Sequence, residues 1–144
     1  MNDFVSILEP DARSALLALA RRQRYAPGEE LIIEGDEPVH LIVLRSGTGR
    51  VVKNHLGGRV PVGRLGPGDI LGELSFVDRS PASASVVADT EIEADVLDTA
   101  EVRNLLKRDP AVELPIYRAL SITLAQRLRS ANEAAIAVPV LGIA

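Results

Sequence analysis

Residues 68–86 read GDILGELSFVDRSPASASV, and this stretch combines the local patterns on which the fold prediction rests. The short aliphatic pair at 70–71 is typical of a strand bounded by turns, and the run at 83–88 predicts the next strand. Between them, Gly72-Glu73-Leu74-Ser75 predicts a turn that opens a short helix. Since no run between the strands is long enough for a crossover helix, we expect the strands to pair antiparallel.

The same pattern extends over residues 25–97, where β-branched or aliphatic runs alternate with glycine-containing turns. Pairs such as Pro27-Gly28 and Gly57-Gly58 supply the restricted and positive φ angles that tight turns need. About eight short strands separated by such turns predict an antiparallel β-roll, similar to a jelly roll, over residues 24–97. The predicted strands include residues 31–33, 40–44, 50–52, 60–65, 70–71, 83–88 and 92–97.

A helical pattern precedes the roll. The segment after Pro10 is rich in alanine and leucine, and proline is well tolerated at a first helical position. Arg21, Arg22 and Arg24 would then lie at the negatively polarised end of the helix. The sequence therefore predicts a helix over residues 9–22.

Helical patterns also follow the roll. Asp98, with Glu101 three residues later, predicts a capped helix over 99–108. A second helix is expected over 110–134, followed by an uncharged apolar tail at 135–144. The predicted fold class is mainly β with flanking helices.

The second C-terminal helix carries an apolar stripe with a spacing of four residues: Ile116, Leu120, Leu124 and Leu128. This stripe predicts packing onto the roll. Alternatively, part of it could form a homodimer contact together with the apolar residues of the tail. Those tail residues are Ile136, Val138, Val140 and Leu141.

Composition limits the class of protein. The 144 residues fit one domain over 1–144, and the formal net charge of −4 does not favour general nucleic-acid binding. The absence of cysteine excludes disulfides, thiolate catalysis and cysteine-ligated zinc. The N-terminus lacks the pattern of a signal peptide, and the apolar tail is too short to span a bilayer. We therefore expect a cytoplasmic protein without membrane association.

No catalytic constellation is visible. His40 and His55 are the only histidines, and their positions before a strand and in a glycine-rich turn do not predict a shared metal site. The serines show neither a nucleophile elbow nor a Ser-x-x-Lys pair. We expect no enzyme activity, no metal and no bound cofactor.

The turn at Gly72-Glu73-Leu74-Ser75 is a candidate binding site. Backbone N–H groups at such a helix start suit an anion, and a carboxylate at Glu73 could accept hydrogen bonds from sugar hydroxyls. Ser83 and Ser85 could add hydroxyl donors. Taken alone, the same residues also fit an ordinary helical turn between two strands.

The order of these motifs resembles the cyclic-nucleotide-binding domain family. The resemblance rests on Pro27-Gly28-Glu29, Glu34-Gly35-Asp36, Ser46-Gly47, 65–69, 72–75 and 81–86. It implies that Gly72 and Glu73 contact the cyclic phosphate and the ribose, and that Leu74 and Ser75 help to cradle the ligand. It also implies that Ser83 donates to the phosphate.

The sequence departs from the family pattern at one position. Ala82 stands where the family has the arginine that pairs with the phosphate. Losing one partner of a buried charge pair costs about 2–5 kcal/mol, which weakens binding roughly 30-fold or more. Arg79 is a candidate for a compensating phosphate contact, although a solvated arginine in a turn is the favoured interpretation.

Two functions are consistent with these residues. The first is a stand-alone regulatory module that binds cyclic AMP or cyclic GMP weakly and signals to a protein partner through its C-terminal helices. The second is a degenerate relative that binds no nucleotide and acts as a structural or protein-interaction module. A chain of this length leaves no room for a DNA-binding domain after the last helix, so we expect no direct nucleic-acid binding.

Overall fold

A computed structural model describes residues 3–137, and the side chains of residues 3–133. Helices α1 to α5 span Phe4–Ile7, Pro10–Leu17, Glu73–Asp78, Thr99–Arg108 and Pro110–Ala137. Strands β1 to β8 span Arg21–Tyr25, Glu30–Ile32, His40–Ser46, Gly49–His55, Gly58–Leu65, Ile70–Leu71, Ser85–Ala88 and Ile92–Asp98.

The strands form two four-stranded antiparallel sheets. One sheet has the order β1-β8-β3-β6 and the other has the order β2-β7-β4-β5. Each sheet joins strands that are distant in sequence, which is the connectivity of a roll rather than of a meander. The predicted fold class, a β-roll with helices on either side, is confirmed.

The helix predicted over residues 9–22 is wrong after Leu17. Helix α2 ends at Leu17, and Arg21–Tyr25 forms strand β1, paired with β8. Cross-strand contacts explain the difference. Arg22 lies opposite Asp95 and donates to its carboxylate at 3.1 Å, while the Tyr25 ring is buried between the sheets. Tertiary pairing therefore overrides the helical preference of the flanking alanines and leucines.

A further helix, α1, was not predicted. The Asp3 side chain caps it by accepting from the Val5 N–H, and the Phe4 N–H donates to the Gly68 carbonyl. Phe4 is almost completely buried beneath the C-terminal helices. This short helix thus anchors the N-terminus beside the turn that precedes β6.

Two apolar clusters hold the roll together. The first lies between the sheets and includes Ile42, Leu71 and Ile92. The second packs helices α1, α2, α4 and α5 against the outer side of the sheet that contains β3, with Leu41 and Phe76 among its members. Phe76 belongs to α3, so the short helix is fixed to the helical layer as well as to the roll.

The C-terminal helices follow the predicted pattern. Helix α4 spans Thr99–Arg108, and the Asp98 carboxylate accepts from the N–H groups of Ala100 and Glu101. Helix α5 continues to Ala137, three residues beyond the predicted end. The remainder of the predicted apolar tail, residues 138–144, lies outside the described residues.

The apolar stripe of α5 changes character along its length. Ile116 and Leu120 are buried in the core, Leu124 is half-buried, and Leu128 is 62% exposed. Packing onto the roll therefore accounts for the first half of the stripe. The last position remains available for another contact.

Alanine substitution should separate the two ends of the stripe. We expect Ile116→Ala to lower the free energy of unfolding by about 3 kcal/mol, because it opens a cavity in the core. Leu128→Ala should cost less than about 1 kcal/mol, because that side chain is exposed. Urea titration at two protein concentrations measures both. A large, concentration-dependent loss for Leu128→Ala would contradict a purely monomeric role for this residue.

Candidate functional site

A cavity of about 820 Å³ lies beside the second sheet, between α3 and α5. Its volume is within the range of about 300–1,000 Å³ that is typical of small-molecule sites. Strands β4 and β5, the start of α3, the segment at 80–84 and one face of α5 contribute to the lining. Of the predicted site residues, the cavity brings together Gly72, Glu73, Leu74, Ser75, Ala82 and Ser83.

The turn before α3 requires glycine. Gly72 has a φ of 84°, and a Cβ at this position would lie 2.5 Å from the His40 carbonyl oxygen. Both the positive φ and this close approach exclude a larger side chain. Gly72 therefore fixes the direction in which α3 leaves strand β6.

The first turn of α3 places polar groups at the cavity. Glu73 is 5% exposed and Ser75 is buried, whereas Leu74 is about half exposed. The N–H groups in this first turn have no carbonyl partner earlier in the helix. The turn thus offers donors and one buried carboxylate to an occupant of the cavity.

The segment at 80–84 is held by backbone hydrogen bonds. The Ala82 N–H donates to the Asp36 carbonyl at 2.8 Å, and the Gly35 N–H donates to the Ala82 carbonyl at 2.9 Å. Ser83 is exposed, and within the described residues its hydroxyl makes no hydrogen bond. Ser83 therefore retains a donor for a ligand, while Ala82 contributes no charge.

The prediction that Ser85 offers a hydroxyl to the ligand is wrong. Ser85 is buried in β7, and its hydroxyl oxygen accepts from the Glu34 N–H at 2.8 Å. Ser85 does not line the cavity. Its hydrogen bond instead fixes the turn after β2 beside the 80–84 segment.

Arg79 does not line the cavity either. It is exposed and adopts a left-handed conformation with a φ of 60°, and its N–H donates to the Ser75 carbonyl at 2.8 Å. Arg79 thus ends helix α3. This geometry supports the solvated-turn interpretation rather than the compensating phosphate contact.

Arg127 is a site residue that the sequence analysis did not identify. Its guanidinium forms an ion pair with Glu73, and its Nη2 also donates to the Ile70 carbonyl at 2.6 Å. The sequence held a signal for it, because Arg127 follows Thr123 by four residues and Leu124 by three. Residues at these spacings share one face of a helix. The buried residues Ile116 and Leu120 of the apolar stripe show that this face of α5 is turned toward the roll.

Burial and charge act in opposite directions on Glu73. Removal from water raises the pKa of the Glu73 carboxyl, the Arg127 guanidinium counteracts this rise, and the Asp69 carboxylate adds to it. The balance leaves the pKa above its ordinary value. Arg127 therefore limits how far burial raises the pKa of Glu73.

The other side of α3 contacts both C-terminal helices. The Arg103 guanidinium lies 4.3 Å from the centre of the Phe76 ring, and its Nη2 donates to the Phe76 carbonyl at 2.9 Å. The Tyr117 ring of α5 lies 6.2 Å from the same ring. A displacement of α3 would therefore reach α4 and α5 directly.

Two further features concern the described part of the chain. Among residues 3–133, no group of three or more histidine, aspartate or glutamate side chains could hold a metal ion. Within the helices that the structure describes, none is long and apolar enough to cross a membrane.

Removing the Arg127 cation should destabilise the fold in a pH-dependent way. We expect Arg127→Met to cost about 2 kcal/mol at pH 7, because it leaves a buried, charged Glu73 without its partner. Without the guanidinium, burial raises the pKa of Glu73 further, so lowering the pH protonates the carboxyl and the loss should shrink as the pH falls toward the ordinary range of a carboxyl group. Urea unfolding over this pH range measures the effect.

Arg129→Met is the matched control, since Arg129 is exposed on the same helix and does not line the cavity. The double variant Glu73→Gln, Arg127→Met should lose the pH dependence. A loss that is equal at all pH values would contradict the role assigned to Arg127.

Comparison with known proteins identifies relatives of this site and fold. The sequence model of the cyclic nucleotide-binding domain matches residues 22–109. A cyclic AMP receptor protein of Thermus thermophilus is 33% identical over 126 residues, which cover 87% of this chain and 56% of that protein. The chain therefore spans little more than half the length of this curated relative.

Two solved structures have the same fold. The catabolite activator protein of Thermus thermophilus superposes with a TM-score of 0.75 at 30% identity, covering 98% of this chain and 63% of that one. The regulatory subunit of a cAMP-independent protein kinase A from Trypanosoma brucei gives a TM-score of 0.73 at 25% identity, covering 92% and 47%. Since the family match extends over more than half of its residues, this chain belongs to the cyclic nucleotide-binding domain family.

Proposed function

We propose that this chain is a regulatory module that binds cyclic AMP or cyclic GMP in the cavity beside α3. The observation that carries the proposal is the meeting of Gly72, Glu73 and Ser83 at one cavity, in the order that the family resemblance requires. The α3 turn and Ser83 would hold the cyclic phosphate, and Glu73 would accept from the ribose hydroxyl. No reaction is assigned to this site, because these groups bind and orient rather than transform.

Binding should be weak. Ala82 brings no guanidinium to the phosphate, and Arg79 lies outside the cavity. A charge-assisted, bidentate contact is therefore missing from the phosphate side. The remaining donors are backbone N–H groups and the Ser83 hydroxyl, which recognise the shape of a phosphate but do not neutralise its charge.

The ligand would signal through α5. Glu73 is engaged by Arg127 in the described structure, so a ribose hydroxyl that reaches the same carboxylate must share it or displace the guanidinium. Either outcome changes a contact between the roll and the last helix. We expect a protein partner, or a second copy of the chain, to read this change through the exposed side of α5 around Leu128.

The alternative is a member of the family that has lost nucleotide binding and acts as a structural or protein-interaction domain. Ala82 favours this alternative, as does the ion pair that already satisfies Glu73. A solved relative described as the regulatory subunit of a cAMP-independent kinase has the same fold. The two functions predict opposite results in the following experiment.

Isothermal titration with cyclic AMP and cyclic GMP tests the proposal. We expect the wild type to show saturable binding that Ala82→Arg strengthens about 30-fold or more, because the guanidinium restores a buried charge pair. Glu73→Ala should weaken binding, because it removes the ribose acceptor.

Ala26→Arg is the matched control, since it adds the same charge at an exposed position that does not line the cavity. A wild type that binds neither nucleotide, together with an Ala82→Arg variant that binds one, would establish an intact but inactive pocket. Failure of both proteins to bind would exclude the proposed ligand class.

A further inference from the structure

Ala82 leaves the phosphate side of the cavity without the arginine that the family resemblance implies. Another nearby cation would have to supply the missing positive charge. Two arginines line the cavity, Arg64 and Arg127. Arg127 is committed to Glu73 and to the Ile70 carbonyl. Arg64 lies on β5, opposite Arg50 of β4, and among residues 3–133 no hydrogen bond joins it to the 80–84 segment.

Lys53, on strand β4, does contact this segment. Its Nζ donates to the Ser83 carbonyl at 2.8 Å. Over residues 3–133, Lys53 forms no ion pair with a carboxylate, so its charge is not cancelled by direct contact. The Glu34 carboxylate accepts at its Oε1 from the N–H of Asn54, the residue next to Lys53, at 2.9 Å.

The contact places one positive charge behind the proposed phosphate donors. Ser83 would donate to the phosphate while its carbonyl accepts from Lys53. The Lys53 ammonium group and the phosphate would then be separated by the width of one residue and two hydrogen bonds. This distance is roughly 9 Å at most. This span is comparable to the Debye length of about 8 Å at physiological ionic strength, so the attraction is reduced by salt but not abolished.

We propose that Lys53 is the positioning residue of the phosphate side: it fixes the 80–84 segment through Ser83 and supplies part of the positive charge that Ala82 does not provide. This assignment rests on the proposed function, since it concerns the anionic group of the same ligand. Lysine suits the role because its ammonium group can donate to a carbonyl and retain its full charge.

Titration with cyclic AMP, and with adenosine as the uncharged probe, tests the assignment. We expect Lys53→Gln to weaken cyclic AMP binding about three- to fivefold at low salt, and less as the salt concentration rises. Lys53→Arg should retain binding within about twofold, because it keeps the charge. Adenosine affinity should not change in either variant, since that ligand has no phosphate.

Lys107→Gln is the matched control. Lys107 is the other lysine of the chain, it is exposed on α4, and it changes the net charge equally without contacting the cavity. Equal cyclic AMP affinity in Lys53→Gln and Lys107→Gln would overturn the assignment. A parallel loss of adenosine binding would also overturn it, since Lys53 would then only shape the pocket.

The Ala82→Arg background separates this proposal from the proposed function. If the wild type binds no nucleotide, the proposed function fails, and Lys53→Gln is compared with its parent in the Ala82→Arg protein. A threefold or greater loss of cyclic AMP affinity there would support the assignment of Lys53. Unchanged affinity there would exclude it.

Discussion

The ion pair between Glu73 and Arg127 joins the β-roll to the last helix. A carboxylate as buried as Glu73 needs a cation, because leaving its charge unpaired would cost about 2 kcal/mol at neutral pH. The cation comes from α5, an element that follows the roll by many residues. The charge on Glu73 in the pocket and the position of α5 therefore depend on each other. A ligand that engages Glu73 would have to alter the ion pair with Arg127.

Helix α3 also connects the pocket to the C-terminal helices through its other side. Gly72 fixes its start, Arg79 ends it, and Phe76 packs between Arg103 of α4 and Tyr117 of α5. The six residues of α3 thus contact the cavity at one end and the helical layer along one face. This arrangement suits the proposed regulatory role, because a small element at the cavity also contacts two helices.

The sequence predicted the roll because turn residues and strand periodicity are local properties, and it predicted α4 because Asp98 caps its own helix. It failed at β1, where the pairing of Arg22 with Asp95, 73 residues away, overrides local helical preference. The α3 residues and Ser83 were found from their motif. Arg127 was missed, since its role depends on how α5 is rotated against the roll, and Ser85 was misassigned because its partner, Glu34, belongs to a distant turn.

Hydrogen exchange of the backbone amides, with and without saturating cyclic AMP, tests the coupling between pocket and helix most directly. We expect changed protection in two regions together, the pocket segments at 72–84 and the part of α5 around Arg127, with little change in β1. Changes confined to the pocket, with α5 unaffected at saturation, would contradict the claim that Glu73 and Arg127 link ligand binding to the last helix.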